Sequence, residues 1–336
     1  MSRLSYRRKR QKRQKMIKGA AAFLIAGVVI AGIYWGISAR TLEQPYDMES
    51  RMSKMALTVQ EEQLPAFAAD LCVVSDESVF HDTNLTAQAA SIFGVDSKTV
   101  LYSNNSFEKL YPASMTKIMT ILVALKYGNL DGSVTVTDGS VITESGASVC
   151  GIKPGDVLTL EQLLYGLMMP SGNDAANAIA IHLAGSVEAF AEMMNEEAKS
   201  LGATSTHFVN PNGLHNEDHY STAYDLYLMF NELLKYDKFL EIIGAFSYTA
   251  EYKDANGNAL SQTWTNSNWF MNGGAATPEN IAVLGGKTGT TNAAGYCLIM
   301  LSEDAAAKRY ISVIIKADSR SSLYKQMTNL LYKINN

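Results

Sequence analysis

Between residues 110 and 129 the chain reads LYPASMTKIMTILVALKYGN, where Ile118, Met119, Ile121, Leu122, Val123 and Leu125 recur with the spacing of a helix, not a strand. Pro112 suits the first turn of that helix and Gly128 a position just past its end. LTLEQLLYGLMM and NDAANAIAIHLAG predict two more apolar-faced helices joined by a short PSGN turn, and SVEAFAEMMNEEAKSLG a fourth ending at Gly202. HFVNPNGLHNEDHYSTAYDLYLMFNELL reads as a turn-rich loop feeding another helix, whose Tyr224, Tyr227 and Met229 belong to a core. Strands are expected at ADLCVVS, on both sides of a turn at Asp96–Ser97 in AASIFGVDSKTVLYSN, and at AVLGGKTGTT, GYCLIMLSE and RYISVIIKA, before a closing helix in SSLYKQMTNLLYKI. Early strands, a helical middle and late strands imply an α+β fold: one sheet built from both chain ends and packed against a helical cluster.

The N-terminus breaks this pattern. Residues 1–18 carry nine Lys or Arg and no acid, and residues 19–39 carry no charge at all. As a helix, residues 19–39 would span about 31 Å, close to the thickness of a bilayer core. Tyr34 and Trp35 lie near the far end, where aromatic belts occur. A basic tail alone would suit nucleic acid, but followed by this segment it predicts a cytoplasmic flank, a signal anchor and an extracytoplasmic remainder. A cleaved signal peptide, cut after Ser38–Ala39, is the competing reading. Residues 40–66, polar and rich in Met, Glu and Gln, read as a stalk, and residues 67–336 as the globular domain it carries. The net charge of −5 thus hides a remainder of −14, from 19 basic against 33 acidic residues. At 47% apolar and 18% charged, the chain supports a large packed core and not a disordered one. Cys72, Cys150 and Cys297 are far apart and odd in number, which suggests buried thiols, with a single bridge left open.

Candidate chemistry lies in three short patterns: Ser114-Met-Thr-Lys117 at a helix start, Ser171-Gly-Asn173 between helices, and Lys287-Thr288-Gly289 on a strand. A helical turn brings Lys117 to Ser114. A serine hydroxyl becomes a nucleophile when a base takes its proton, and a desolvated lysine near a second cation serves as that base. Lys287 supplies the second charge and attracts an anionic substrate. Ser171 is suited to relay a proton to a leaving amine, Asn173 to hold a substrate amide, and Thr288 to offer a hydroxyl to a carboxylate, while Gly289 allows close backbone approach. No cofactor is expected. His215 and His219 in HNEDH match no metal motif and are assigned to a loop; His182 is expected as a core or edge residue.

Ordered in this way, and with YPASMTKIMT, MMPSGNDAANAIA, FVNPNGLHNEDHYSTAYDL and GGKTGTTNAAGYCL around them, the patterns resemble the serine D-alanyl-D-alanine carboxypeptidases, the low-molecular-mass penicillin-binding proteins. The resemblance runs from about Phe67 to the C-terminus. It implies a β-lactamase/transpeptidase-like fold, acylation of Ser114, an oxyanion hole from the backbone N–H groups of Ser114 and Thr290, and a peptidoglycan stem peptide ending in D-Ala-D-Ala as substrate. β-Lactam antibiotics are implied as covalent inhibitors. Many relatives add a β-rich domain and a C-terminal amphipathic helix, whereas this chain is expected to end at its closing helix and to be anchored N-terminally. Some also place a carboxylate-binding arginine in the last helix, for which Arg320 is an approximate substitute. A β-lactamase shares the three patterns, but no E-x-x-L-N stretch follows Ser171. A silent penicillin-binding sensor is the other alternative.

Overall fold

The computed structural model describes residues 3–38, 71–74 and 82–335. Two compact units divide at residues 67 and 68. In the first, helix α1 (Arg3–Ser38) runs through both the basic segment and most of the apolar one. Its stretch Lys12–Ala31 is long and apolar enough to cross a membrane, a test a signal sequence also passes. The expected stalk and residue Ala39 of the expected cleavage site lie outside the described residues.

In the second unit, β1 (Ala89–Gly94) and β2 (Thr99–Asn104) form the hairpin expected around Asp96–Ser97. β7 (Ile281–Thr291), β8 (Gly295–Asp304) and β9 (Arg309–Ala317) follow near the C-terminus. Together they make one antiparallel sheet of order β2-β1-β9-β8-β7, so the two chain ends meet at the β1–β9 ladder. The central strands β8 and β9 are buried on both faces, and so read as near-continuous apolar runs. One face carries the helical cluster of α2 (Lys117–Tyr127), α3 (Leu160–Met168), α4 (Asn173–Ala184), α5 (Val187–Ser200) and α6 (Ala223–Leu233). α2 is buried from Lys117 to Ala124, as an all-round apolar helix must be. The other face is covered by the closing helix, which packs Leu323, Met327, Leu330 and Leu331 against Leu298, Met300 and Ile314.

A second antiparallel sheet was not foreseen. It joins β3 (Ser133–Thr135), β4 (Val157–Thr159), β5 (Ser247–Lys253) and β6 (Ala259–Thr265), with α7 (Asp237–Gly244) leading into it and α8 (Trp269–Asn272) following it. The closing helix is therefore α9 (Arg320–Tyr332). The strand expected at ADLCVVS is absent from its described part, residues 71–74. β1 already pairs with β2 and β9, and Cys72 instead donates its N–H to the Tyr227 hydroxyl at 2.9 Å and its thiol to the Gly94 carbonyl. All three cysteines are buried and free. Tyr227 and Met229 sit in the core, and His182 is exposed near the end of α4, not buried.

Candidate active site

Ser114 does not begin an α-helix. It sits in a 3-10 turn (Ala113–Thr116) that passes directly into α2 at Lys117, and Pro112 precedes that turn. The tighter turn preserves the expected proximity, with Lys117 Nζ 3.0 Å from Ser114 Oγ. Lys117 Nζ also donates to Asn173 Oδ1 at 2.6 Å and to the Asn212 carbonyl at 2.7 Å. The lysine is wholly buried. Desolvation, aided by the Lys287 charge, pulls its pKa well below the ordinary lysine value against the opposing pull of Asp174.

Asn173, the last residue of PSGN, opens α4, and within the same turn Ser171 is held at φ +63°, an uncommon conformation for a residue with a side chain. The Ser171 hydroxyl accepts from Lys287 Nζ at 3.0 Å, and Lys287 also donates to the Thr288 carbonyl at 2.8 Å. Burial in β7 pushes the Lys287 pKa down to about 7. The same turn fastens a neighbouring loop. Asp174 accepts from the backbone N–H groups of Cys150 and Gly151, both at 2.8 Å, while Asn173 N–H donates to the Ser148 carbonyl at 2.9 Å.

β7 forms an outer edge of the five-stranded sheet and faces the serine turn. A Cβ on Gly289 would lie 2.8 Å from the Pro112 carbonyl and 3.1 Å from Ser114 N, so the missing side chain admits the serine turn itself. Ser114 lines two cavities. One, of about 310 Å³, is also lined by Ser171, Thr288, Gly289, Thr290 and Arg320. Thr288 Oγ1 lies 3.2 Å from Ser267 Oγ there. Arg320 is the first residue of α9; its guanidinium sits 5.7 Å from the centre of the Trp269 ring and makes no ion pair among the described residues. The second cavity, of about 320 Å³, is lined by Asn173, Glu144, Leu214 and Thr290 among others. All nine expected residues therefore converge on one region.

Two contributors escape a motif reading, Asn212 and Asp174, one acting through its carbonyl and the other by pinning backbone. His219, in the expected loop, is 2% exposed; its Nδ1 accepts the Val209 N–H at 3.2 Å, so its proton lies on Nε2, 2.7 Å from Thr116 Oγ1. Burial drives its pKa to about 3, so the ring stays neutral. His215 packs edge-on against Tyr111. Among the described residues, no group of three or more His, Cys, Asp or Glu side chains is arranged to hold a metal ion.

A family model described as D-alanyl-D-alanine carboxypeptidase matches residues 76–319. The chain belongs to the D-alanyl-D-alanine carboxypeptidase family. It is 37% identical over 248 residues to the D-alanyl-D-alanine carboxypeptidase DacF of Bacillus subtilis, covering 73% of this chain and 61% of that protein. It is 34% identical over 275 residues to DacC of Escherichia coli, covering 79% of this chain and 64% of the relative. The chain thus spans less than two thirds of the length of either relative. The solved Streptomyces K15 DD-transpeptidase superposes with a TM-score of 0.69 at 30% identity, covering 74% of this chain and 97% of that one. The fold is the β-lactamase/transpeptidase-like α+β architecture of these family members.

Proposed function

We propose that the chain is a serine D-alanyl-D-alanine carboxypeptidase that removes the terminal D-alanine of a peptidoglycan stem peptide through an acyl-enzyme on Ser114. The observation that carries this reading is the buried Lys117 amine 3.0 Å from the Ser114 hydroxyl. Neutral Lys117 takes the serine proton as Oγ attacks the penultimate D-Ala carbonyl. The backbone N–H groups of Ser114 and Thr290 receive the developing oxyanion. Ser171, hydrogen-bonded to Lys287, passes a proton to the leaving D-alanine nitrogen. The terminal carboxylate is held by Thr288 with the charges of Lys287 and Arg320, and Asn173 holds the amide preceding the scissile bond. Water then attacks the ester and releases the shortened stem.

The proposed organisation is a basic cytoplasmic tail (1–18), a signal anchor (19–39), a stalk (40–66) and an extracytoplasmic catalytic domain (67–336). β-Lactams, which present a strained amide beside a carboxylate, acylate the same serine. Mass spectrometry of the protein after incubation with a labelled penicillin tests nucleophile and class together. The adduct is expected on the peptide containing Ser114, to vanish in Ser114→Ala and to fall at least a hundredfold in rate in Lys117→Ala. An adduct that persists in Ser114→Ala overturns the reading. Release of D-alanine from a D-Ala-D-Ala peptide separates a carboxypeptidase from a silent sensor, and preference for the lactam would mark a β-lactamase.

A further inference from the structure

Lys117 Nζ has three partners: Ser114 Oγ, Asn173 Oδ1 and the Asn212 carbonyl. The two amide oxygens can only accept, and a neutral amine has two N–H bonds and one lone pair. When both N–H bonds point to the amide oxygens, the lone pair is left facing Ser114 Oγ, the one partner with a proton to give. Asn173 is set by α4, but the Asn212 carbonyl lies 95 residues from Lys117 in sequence and must be placed by other contacts. Thr120, fully buried one turn along α2, donates its hydroxyl to the Pro211 carbonyl at 2.5 Å. Asn177, one turn along α4 from Asn173, accepts from Asn212 Nδ2 at 3.0 Å. Each grips one member of the Pro211–Asn212 pair from a helix that also carries a residue of the site.

We propose that Thr120 and Asn177 are positioning residues: by fixing the Asn212 carbonyl on Lys117 they aim the free electron pair of the amine at Ser114. The inference rests on the acyl-transfer reading above and assigns the two residues no contact with substrate.

The charged or titratable groups facing Lys117 are Lys287 from β7, Asp174 from α4, Cys150 from the loop before β4, and neutral His219. None is altered by substituting Thr120 or Asn177. A carbonyl acceptor stabilises an ammonium more than an amine, so losing it moves the protonation of Lys117 to lower pH while leaving its lone pair poorly aimed.

The test measures the rate of acylation by labelled penicillin against pH, and the fraction labelled at completion, for the full chain in detergent micelles. Thr120→Val and Asn177→Ala are expected to acylate about tenfold more slowly at the pH plateau, with the acid limb displaced to lower pH and the final labelled fraction unchanged. Thr120→Ser, which keeps the hydroxyl, is expected to restore both rate and limb. A smaller labelled fraction with an unmoved limb would assign these residues to the fold alone and overturn the proposal, as would wild-type rates in the variants. Should Thr120→Val fail to fold, half-buried Asn177→Ala decides by the same two outcomes. A wild-type chain that takes no label sinks the acyl-transfer reading and this inference with it, a result distinct from wild-type label with unaffected variants.

Discussion

Lys287 is a cation in a place that disfavours cations: it is 1% exposed, and among the described residues its ammonium has a hydroxyl and a carbonyl for partners. Its pKa falls from 10.5 to about 7, so below about pH 7 the folded protein carries the full penalty of a buried charge. Between about 7 and 10.5 the unfolded chain holds a proton that the folded one has lost, and stability from this group rises with pH. Replacing the lysine by Met removes that dependence, at the constant expense of two lost hydrogen bonds. The stability of Lys287→Met relative to wild type is therefore expected to be greatest at pH 6 and to decline toward pH 10, by about 4 kcal/mol at roughly 1.4 kcal/mol per pH unit. Thermal or urea unfolding at the two pH values measures it. A difference that does not change with pH would mean that Lys287 is solvated in the folded protein.

At the scale of elements, the serine turn is held from two sides by glycines whose missing Cβ atoms make room for it. Gly213 has φ +83°, and a Cβ there would fall 2.0 Å from the Ala113 carbonyl oxygen and 3.0 Å from Ser114 N. Gly257, in the β5–β6 turn, has the same φ of +83° and nothing within 4 Å. Gly257→Ala should therefore cost about 1–2 kcal/mol in stability and leave penicillin acylation intact. Gly213→Ala bears that strain and also displaces the turn that carries Ser114, so acylation is expected to fall about a hundredfold; equal rates in the two variants would refute the tight fit. The motif residues were legible because serine, lysine and glycine at short spacings carry their chemistry locally. Ser114 and Lys117 meet within one turn whether that turn is 3-10 or α. The β5–β6 hairpin has a readable signal too, Asn256-Gly257 between alternating segments. β3 and β4, at three residues each, had none. The apolar run at Cys72 resembles a strand by composition, yet in its described part only Cys72 is buried, held by Tyr227 and Gly94, while Val73 is 68% exposed. Asn212 and Asn177 could not be read at all, since their contribution depends on contacts between segments 35 and 95 residues apart.

For the whole molecule, the limits of the folding unit matter more than those of the family match. The match covers 76–319, yet Cys72 is fully buried with its N–H on the Tyr227 hydroxyl, and α9 supplies Leu323, Met327, Leu330 and Leu331 to the core behind the sheet. A fragment of residues 68–336 is therefore expected to unfold in one cooperative transition and to be acylated by penicillin at the rate of the full chain. Residues 68–319 should fail to give a stable fold, because removing four buried aliphatic or Met side chains takes away on the order of 8 kcal/mol at about 2 kcal/mol each, comparable to the net stability of a domain. Residues 76–336 should fold but melt at a lower temperature, having lost the Cys72 contacts. Fractionation of cells completes the test: the full chain is expected to sediment with membranes through the segment containing Lys12–Ala31, and the 68–336 fragment, exported by a cleavable leader, to remain soluble. Expression of the full chain that yields a soluble species beginning near Arg40 would replace the anchor with a processed leader and leave the proposed acyl-transfer reading standing.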